Sequence, residues 1–168
     1  ISQADAKYKR YIGNGAPKHF LSWSNNLTWR NFDLSVFFRG TFGFDVFNMR
    51  KYGMGLQGCG TDNVLRSAYL EDKNIRTGGG VISSYFLEDG SFIKLENVTL
   101  GYNFTPKNRK LLDNMRIYLS AKNLFTLTGY SGNDPSIIDV NGIQPGVDSN
   151  SAYPTATQLS LGVTLRFK

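Results

Sequence analysis

The stretch FLSWSNNLTWRNFDLSVFFRGTF, from Phe20 to Phe42, decides the fold. Its residues change character at every second position. Up to Trp29 one face reads Leu21, Trp23, Asn25, Leu27 and Trp29, and the other Phe20, Ser22, Ser24, Asn26 and Thr28. Arg30 and Asn31 then suit a tight turn. From there Phe32, Leu34, Val36, Phe38, Gly40 and Phe42 alternate with Asp33, Ser35, Phe37, Arg39 and Thr41. Successive side chains of a strand point to opposite sides, so a period of two marks a strand with unlike faces. The stretch is expected to be an antiparallel hairpin with one apolar and one mostly polar face.

Three further strands carry the same pattern. The third ends at Phe104, with Val98, Leu100, Tyr102 and Phe104 opposed to Asn97, Thr99, Gly101 and Asn103. Lys94 and Glu96 share the parity of Val98, so they are expected on a part of the strand beyond the apolar band. The fourth, about Met115 to Thr126, sets Ile117, Leu119, Ala121 and Phe125 against Arg116, Tyr118, Ser120 and Lys122. The fifth sets Thr157, Leu159, Leu161, Val163, Leu165 and Phe167 against Gln158, Ser160, Gly162, Thr164 and Arg166. A long Gly-rich connection runs from Gly43 to about Ser83, with a short helix expected around Val64 to Asp72. A shorter one with a proline runs from Thr105 to Asn114. Leu127 to about Ala156 is long again, and rich in Gly, Asn, Asp, Ser and Pro.

Composition narrows the class. The chain has 168 residues, 19% charged and 14% aromatic, with 18 Gly and one Cys. One domain is expected over 1–168. Few charges and many aromatics exclude a disordered polar chain, and a single Cys excludes a disulfide scaffold. No apolar run approaches the roughly 20 residues of a membrane helix. The net charge of +6 comes from scattered Lys and Arg, so no nucleic acid is expected as a partner. The first ten residues carry no targeting signal, and Ile1 opens either a mature product or, preferably, a piece of something longer.

Connections that alternate short and long, with strands of about ten residues, fit an outer-membrane β-barrel. Such barrels have short periplasmic turns and long extracellular loops. The Arg30-Asn31 turn, the Thr105 to Asn114 connection and the C-terminus are thus expected in the periplasm, and both long loops outside. Trp29, Phe32, Phe104 and Phe167 then fall at one end of the apolar faces, with Phe42 and Phe125 at the other, as two aromatic girdles. A soluble carbohydrate-binding β-sandwich also explains the alternation. It explains neither the girdles nor long loops confined to one side.

No catalytic, metal or cofactor site is expected, and no enzyme. Gly53, Gly55 and Gly58 match a dinucleotide fingerprint in spacing only, without its strand–helix context. His19 and Cys59 are single and cannot build a zinc site. Asp134 and Asp139 lack calcium-loop spacing. What remains is a wall and its loops. Asp33, Phe37, Arg39, Tyr118 and Lys122 face the barrel interior, and Tyr52, Tyr69, Tyr130 and Tyr153 are loop aromatics suited to stacking on sugars or seating a partner.

Five segments resemble SusC/RagA-type TonB-dependent transporters, in the order of that family. They are Ile12 to Lys18, Asn31 to Gly40, Leu87 to Tyr102, Arg116 to Thr126 and Tyr130 to Pro135. The resemblance implies the last five strands of a plugged barrel of about 22 strands in the outer membrane of a Bacteroidetes-type bacterium. It implies uptake of glycans or peptides driven by TonB-ExbB-ExbD, with a SusD-like surface lipoprotein as lid. The plug and earlier strands would lie outside this chain. Ser160, Gly162, Leu165 and Phe167 also fit the terminal signal by which such barrels are assembled.

Overall fold

The computed structural model describes residues 9–55, 63–70, 82–106, 111–138, 143–149, 153 and 155–168. The chain forms two compact units. One comprises 20–41, 92–127 and 155–168, and the other 1–19, 42–91 and 128–154. Among the described residues no helix is long and apolar enough to cross a membrane, which says nothing of crossing by strands.

The first unit is built on a five-stranded sheet. Its strands are β1 (His19–Trp29), β2 (Phe32–Phe42), β5 (Phe92–Phe104), β6 (Leu112–Thr128) and β8 (Gln158–Phe167), side by side in chain order. β2 pairs antiparallel with β5, and β6 with β8. A two-residue turn joins β1 to β2, and only 105–111 separate β5 from β6, too short for a parallel crossover. One face is apolar apart from Asn25 of β1. Leu34 pairs with Leu100, Val36 with Val98 and Phe38 with Leu95. Ile117 pairs with Val163, Leu119 with Leu161 and Ala121 with Leu159. Trp23 packs on Phe38 with ring centres 5.6 Å apart, and Phe32 on Tyr102 at 4.8 Å. Among the described residues nothing covers this face: Leu161 is 75% exposed and Leu159 71%. A sandwich would bury it against a second sheet; an apolar surface of this extent suits lipid.

The other face is polar. Ser35 stands beside Thr99, Asp33 beside Gly101, Ser120 beside Ser160 and Tyr118 beside Gly162. Two departures from plain alternation correct the sequence reading. The register of β2 against β5 slips between Phe37 and Phe38: Phe37 meets Asn97, and Phe38 meets Leu95. Glu96 is therefore the extra residue of a β-bulge, and the parity above it flips. Lys94 leaves the face of Val98 and joins that of Arg39, its direct partner. Neither it nor Glu96 has to extend beyond the apolar band. In β6, Asn123 adopts a left-handed φ of 53°. Leu124 and Phe125 are both exposed beyond it, so two-step counting from Leu119 does not fix the face of Phe125. β6 also starts at Leu112, earlier than expected, which shortens the connection before it.

The second unit contains β3 (Asp45–Asn48), β4 (Leu87–Asp89) and β7 (Val147–Asp148) in the order β4-β3-β7. β3 runs antiparallel to β4 and parallel to β7. These strands have two to four residues, below what periodicity can reveal. Phe44, Val46 and Phe86 are buried, and Phe86 stands edge-on to Tyr52 at 5.2 Å. Helix α1 (Met49–Met54) follows β3 directly, and α2 is one turn, Ser67–Leu70, within the stretch where a helix is expected. Glu71 and Asp72, at the end of that stretch, lie outside the described residues, as do Gly58, Cys59, Gly78 to Gly80 and Asp139.

Candidate functional site

The polar face of the sheet carries a hydrogen-bonded chain across three strands. Asp33 on β2 accepts from Arg116 on β6: Nε donates to Oδ1 at 3.1 Å, and the terminal Nη2 donates to Oδ2. Asn103 Nδ2 donates to the same Oδ1 at 2.8 Å. The Arg116 guanidinium also lies 5.1 Å from the Tyr118 ring centre. Tyr118 in turn covers Gly162, where a Cβ would collide with the ring. Farther along, Thr99 donates to Ser120 Oγ at 3.0 Å, and Ser120 to Asn97 Oδ1 at 3.3 Å. Beyond the bulge, Arg39 Nε donates to Glu96 Oε2 at 3.0 Å and its guanidinium sits over Phe92. Lys94 is buried and donates to Thr155 Oγ1 at 3.2 Å.

Asp33, Phe37, Arg39, Tyr118 and Lys122 thus share one face, Phe37 beside Asn97 and Lys122 beside Gln158. Alternation alone assigns them that face. Sequence reasoning places Arg116 and Asn103 on the same side without singling them out. Their tie to Asp33 depends on which strands are neighbours, and parity is silent on that.

In the second unit the polar groups converge on Asn48, which is buried. Its Oδ1 caps α1 by accepting from Lys51 N at 2.8 Å. Its Nδ2 donates to Glu88 Oε1 at 3.3 Å and Ser131 Oγ at 3.2 Å. Ser131 donates twice more to Glu88, from N and from Oγ, each at 2.8 Å. Lys51 Nζ stands 3.7 Å from Glu88 and over the Tyr85 ring. Asn48, Lys51, Glu88 and Ser131, with Arg50, Arg66 and Asp89, line a cavity of about 630 Å³. Three cations and two carboxylates around it favour polar, hydrogen-bonding occupants.

The four loop tyrosines part company. Tyr69 and Tyr153 are exposed, at 60% and 90%. Tyr52 is half-buried between Phe47 and Phe86. Tyr130 is buried, and its hydroxyl donates to Asp148 Oδ2 at 2.6 Å. Burial, then Asp148, pushes its phenol far above the ordinary 10.0. Tyr130 is thus a structural donor, with its ring turned away from solvent. Its loop position suggests exposure, and nothing local reveals that Asp148 lies opposite.

No family model matches the chain. It is 28% identical to TonB-dependent receptor P3 of Formosa agariphila, an alignment covering 99% of this chain and 18% of that one. It is 28% identical to TonB-dependent receptor SusC of Bacteroides thetaiotaomicron, over 86% of this chain and 14% of SusC. The RagAB peptide importer in its closed-closed state superposes with a TM-score of 0.78 at 24% identity, over 98% of this chain and 19% of that one. The chain thus spans less than a fifth of the length of each of these proteins. By their names those proteins are receptors and a peptide importer. In sequence and in fold it resembles the SusC/RagA type of TonB-dependent transporter, and its antiparallel sheet matches a segment of such a β-barrel.

Proposed function

We propose that this chain forms part of the wall and the mouth of an outer-membrane importer driven by TonB-ExbB-ExbD. The observation that carries the reading is the sheet itself. One face is apolar and uncovered, the other is tied together by polar side chains, and the strands are linked alternately by short and long segments. A strand pair facing lipid on one side and a hydrated lumen on the other needs that division. The names of the relatives support import, through SusC and the RagAB peptide importer. The cargo in this reading is an oligosaccharide or a peptide, and the partner over the mouth is a SusD-like lipoprotein.

In this reading 1–168 is the C-terminal part of the barrel, completed by further strands and a plug. The long connections face the cell exterior and the C-terminus the periplasm. Asp33, Phe37, Arg39, Tyr118 and Lys122 line the lumen or touch the plug. Tyr52, Tyr69 and Tyr153 belong to the mouth. Ser160, Gly162, Leu165 and Phe167 serve assembly of the last strand.

A facing test decides the matter in the full-length transporter. Val36→Arg or Leu161→Arg puts a cation on the lipid face, at a cost of about 2–4 kcal/mol near the midplane. Ser35→Arg or Ser160→Arg, one residue away, faces the lumen. Only the first pair is expected to abolish membrane assembly, read as the folded fraction in outer-membrane extracts. Equal behaviour of the two pairs sinks the reading.

A further inference from the structure

We propose that the tip of the β1–β2 hairpin, Trp29 and Arg30 with Phe32 and Tyr102, is a seat for the phosphate headgroup of an anionic phospholipid. The inference rests on the membrane-barrel reading above and adds a ligand to one end of the sheet.

The backbone supplies the first clue. Arg30 has a φ of 53°, and among the described residues the only other non-glycine with positive φ is Asn123. Asparagine tolerates that conformation through its short polar side chain, and arginine has no such ease. Asn or Gly would hold this turn with less strain. What arginine adds is a guanidinium, held 5.3 Å from the Trp29 ring centre.

The second clue is the platform beneath it. Trp29 is 67% exposed and stacks on Phe32 with ring centres 6.4 Å apart, and Phe32 packs on Tyr102. All three rings belong to the apolar face. A planar cation at the rim of an exposed aromatic surface matches a phospholipid in both halves. The fork donates to phosphate oxygens, and the rings take the upper acyl chain.

Charge at this end agrees. β1 ends, β2 begins and β5 ends there, and the one carboxylate that the described residues of these strands bring to it is Asp33. The carboxylate of Asp33 is occupied by Arg116 and Asn103. Asp113, on β6, is separated from β2 by β5. The connections at this end are the short ones, which barrels turn to the periplasm. The leaflet met there is phospholipid rather than lipopolysaccharide.

The test uses the full-length transporter in bilayer nanodiscs holding equal phosphatidylglycerol and phosphatidylcholine, followed by release into native mass spectrometry. The unsubstituted protein should retain phosphatidylglycerol in preference. Arg30→Asn, which suits the left-handed turn, should lower that retention about fivefold and leave the melting temperature unchanged or raised. Arg30→Gly provides a second variant with the same backbone tolerance. Inorganic phosphate at millimolar concentration should not strip the lipid. Retention unchanged in both variants overturns the seat, as does complete displacement by phosphate, which would mark a bare anion site. Failure of the unsubstituted protein to enter the bilayer overturns the barrel reading and the seat with it. Entry without preference overturns the seat alone.

Discussion

Asp33 and Arg116 form an ion pair that reaches from β2 to β6 across the strand between them, over Gly101. Asp33 and Gly101 are direct cross-strand partners. A Cβ at Gly101 would lie 2.5 Å from Asp33 Oδ1 and 2.8 Å from Arg116 Nε, so the missing side chain is what lets the pair close. Three strands are fastened by one carboxylate, with Asn103 as a third hand. The fork of Arg116 fits this task where a lysine point charge would not.

Arg116→Met in the full-length protein should therefore destabilise the sheet by about 1–3 kcal/mol, because Asp33 keeps only Asn103. The partial exposure of both groups favours the lower end of that range. Gly101→Val should cost at least as much, by steric blockade of the same pair. Adding Asp33→Asn to Arg116→Met should cost less than the sum of the two single changes. Urea unfolding in detergent micelles reads all four. Strict additivity would show that the pair is not coupled.

Removal of one strand residue normally turns everything on one side of it to the wrong face. Glu96 is the exception the bulge creates. It is unmatched in the register, with Asn97 and Leu95 opposite consecutive residues of β2. Its deletion should keep Leu95 and Ile93 on the lipid face and Lys94 beside Arg39, at the loss of the Arg39 ion pair. Deletion of Thr164, in the regular part of β8, should flip Leu161 and Leu159 inward and block assembly. Comparable assembly yields for the two deletions would contradict the bulge assignment.

The same bulge shows where sequence reading stops. β1 and β2 lie within one residue of the expected ends, because a two-residue turn between alternating runs is a local signal. The membership of Asp33, Arg39 and Tyr118 in one face follows from parity alone. Parity is carried along a single strand, however, and it fails where a residue drops out of register. Glu96 and Asn123 look ordinary in sequence; Glu96 resets the count, and the left-handed Asn123 interrupts it. Contacts between strands, such as Asp33 with Arg116, require the order of strands, which no single strand encodes. The buried Tyr130 and the Asn48–Glu88–Ser131 cluster join residues far apart in sequence through strands too short to have a period.

Tyr130 predicts a dependence on high pH. Its folded pKa lies above the unfolded value of 10.0, because the neutral phenol is buried and donates to Asp148. A raised folded pKa means that the folded form holds its proton when the unfolded form has lost it. The stabilisation is full below about pH 10 and declines as pH rises further. Amide protection across 128–138 and 143–149, corrected for intrinsic exchange, should be flat from about pH 7 to 9 and fall above 10. Tyr130→Phe should lower protection by about 1–3 kcal/mol at neutral pH and remove the part of the decline that this hydroxyl causes. A Phe variant with the same protection as Tyr at neutral pH would show that the bond to Asp148 contributes nothing.

The sidedness of the sheet can be read on intact cells. β2 ends and β5 begins at one end, as do the end of β6 and the start of β8, so 43–91 and 129–157 depart from the same end. The Arg30 turn lies at the other, where β5 ends and β6 begins. Long connections of barrels face outward and short ones the periplasm, where an added protease cannot reach behind an intact membrane. Trypsin on whole cells should therefore cut only within the long connections, and spare Arg30, Lys107 and Arg109. The last two lie outside the described residues, and their place rests on the sequence between β5 and β6. Permeabilised cells supply the control, since Arg30 stands at an exposed turn and should become reachable once the outer membrane is breached. A SusD-like lid over the mouth should slow cutting of the long connections and leave that at Arg30 unaltered. Cleavage at Arg30 before permeabilisation would invert the topology, and would move the proposed phospholipid seat to the wrong leaflet.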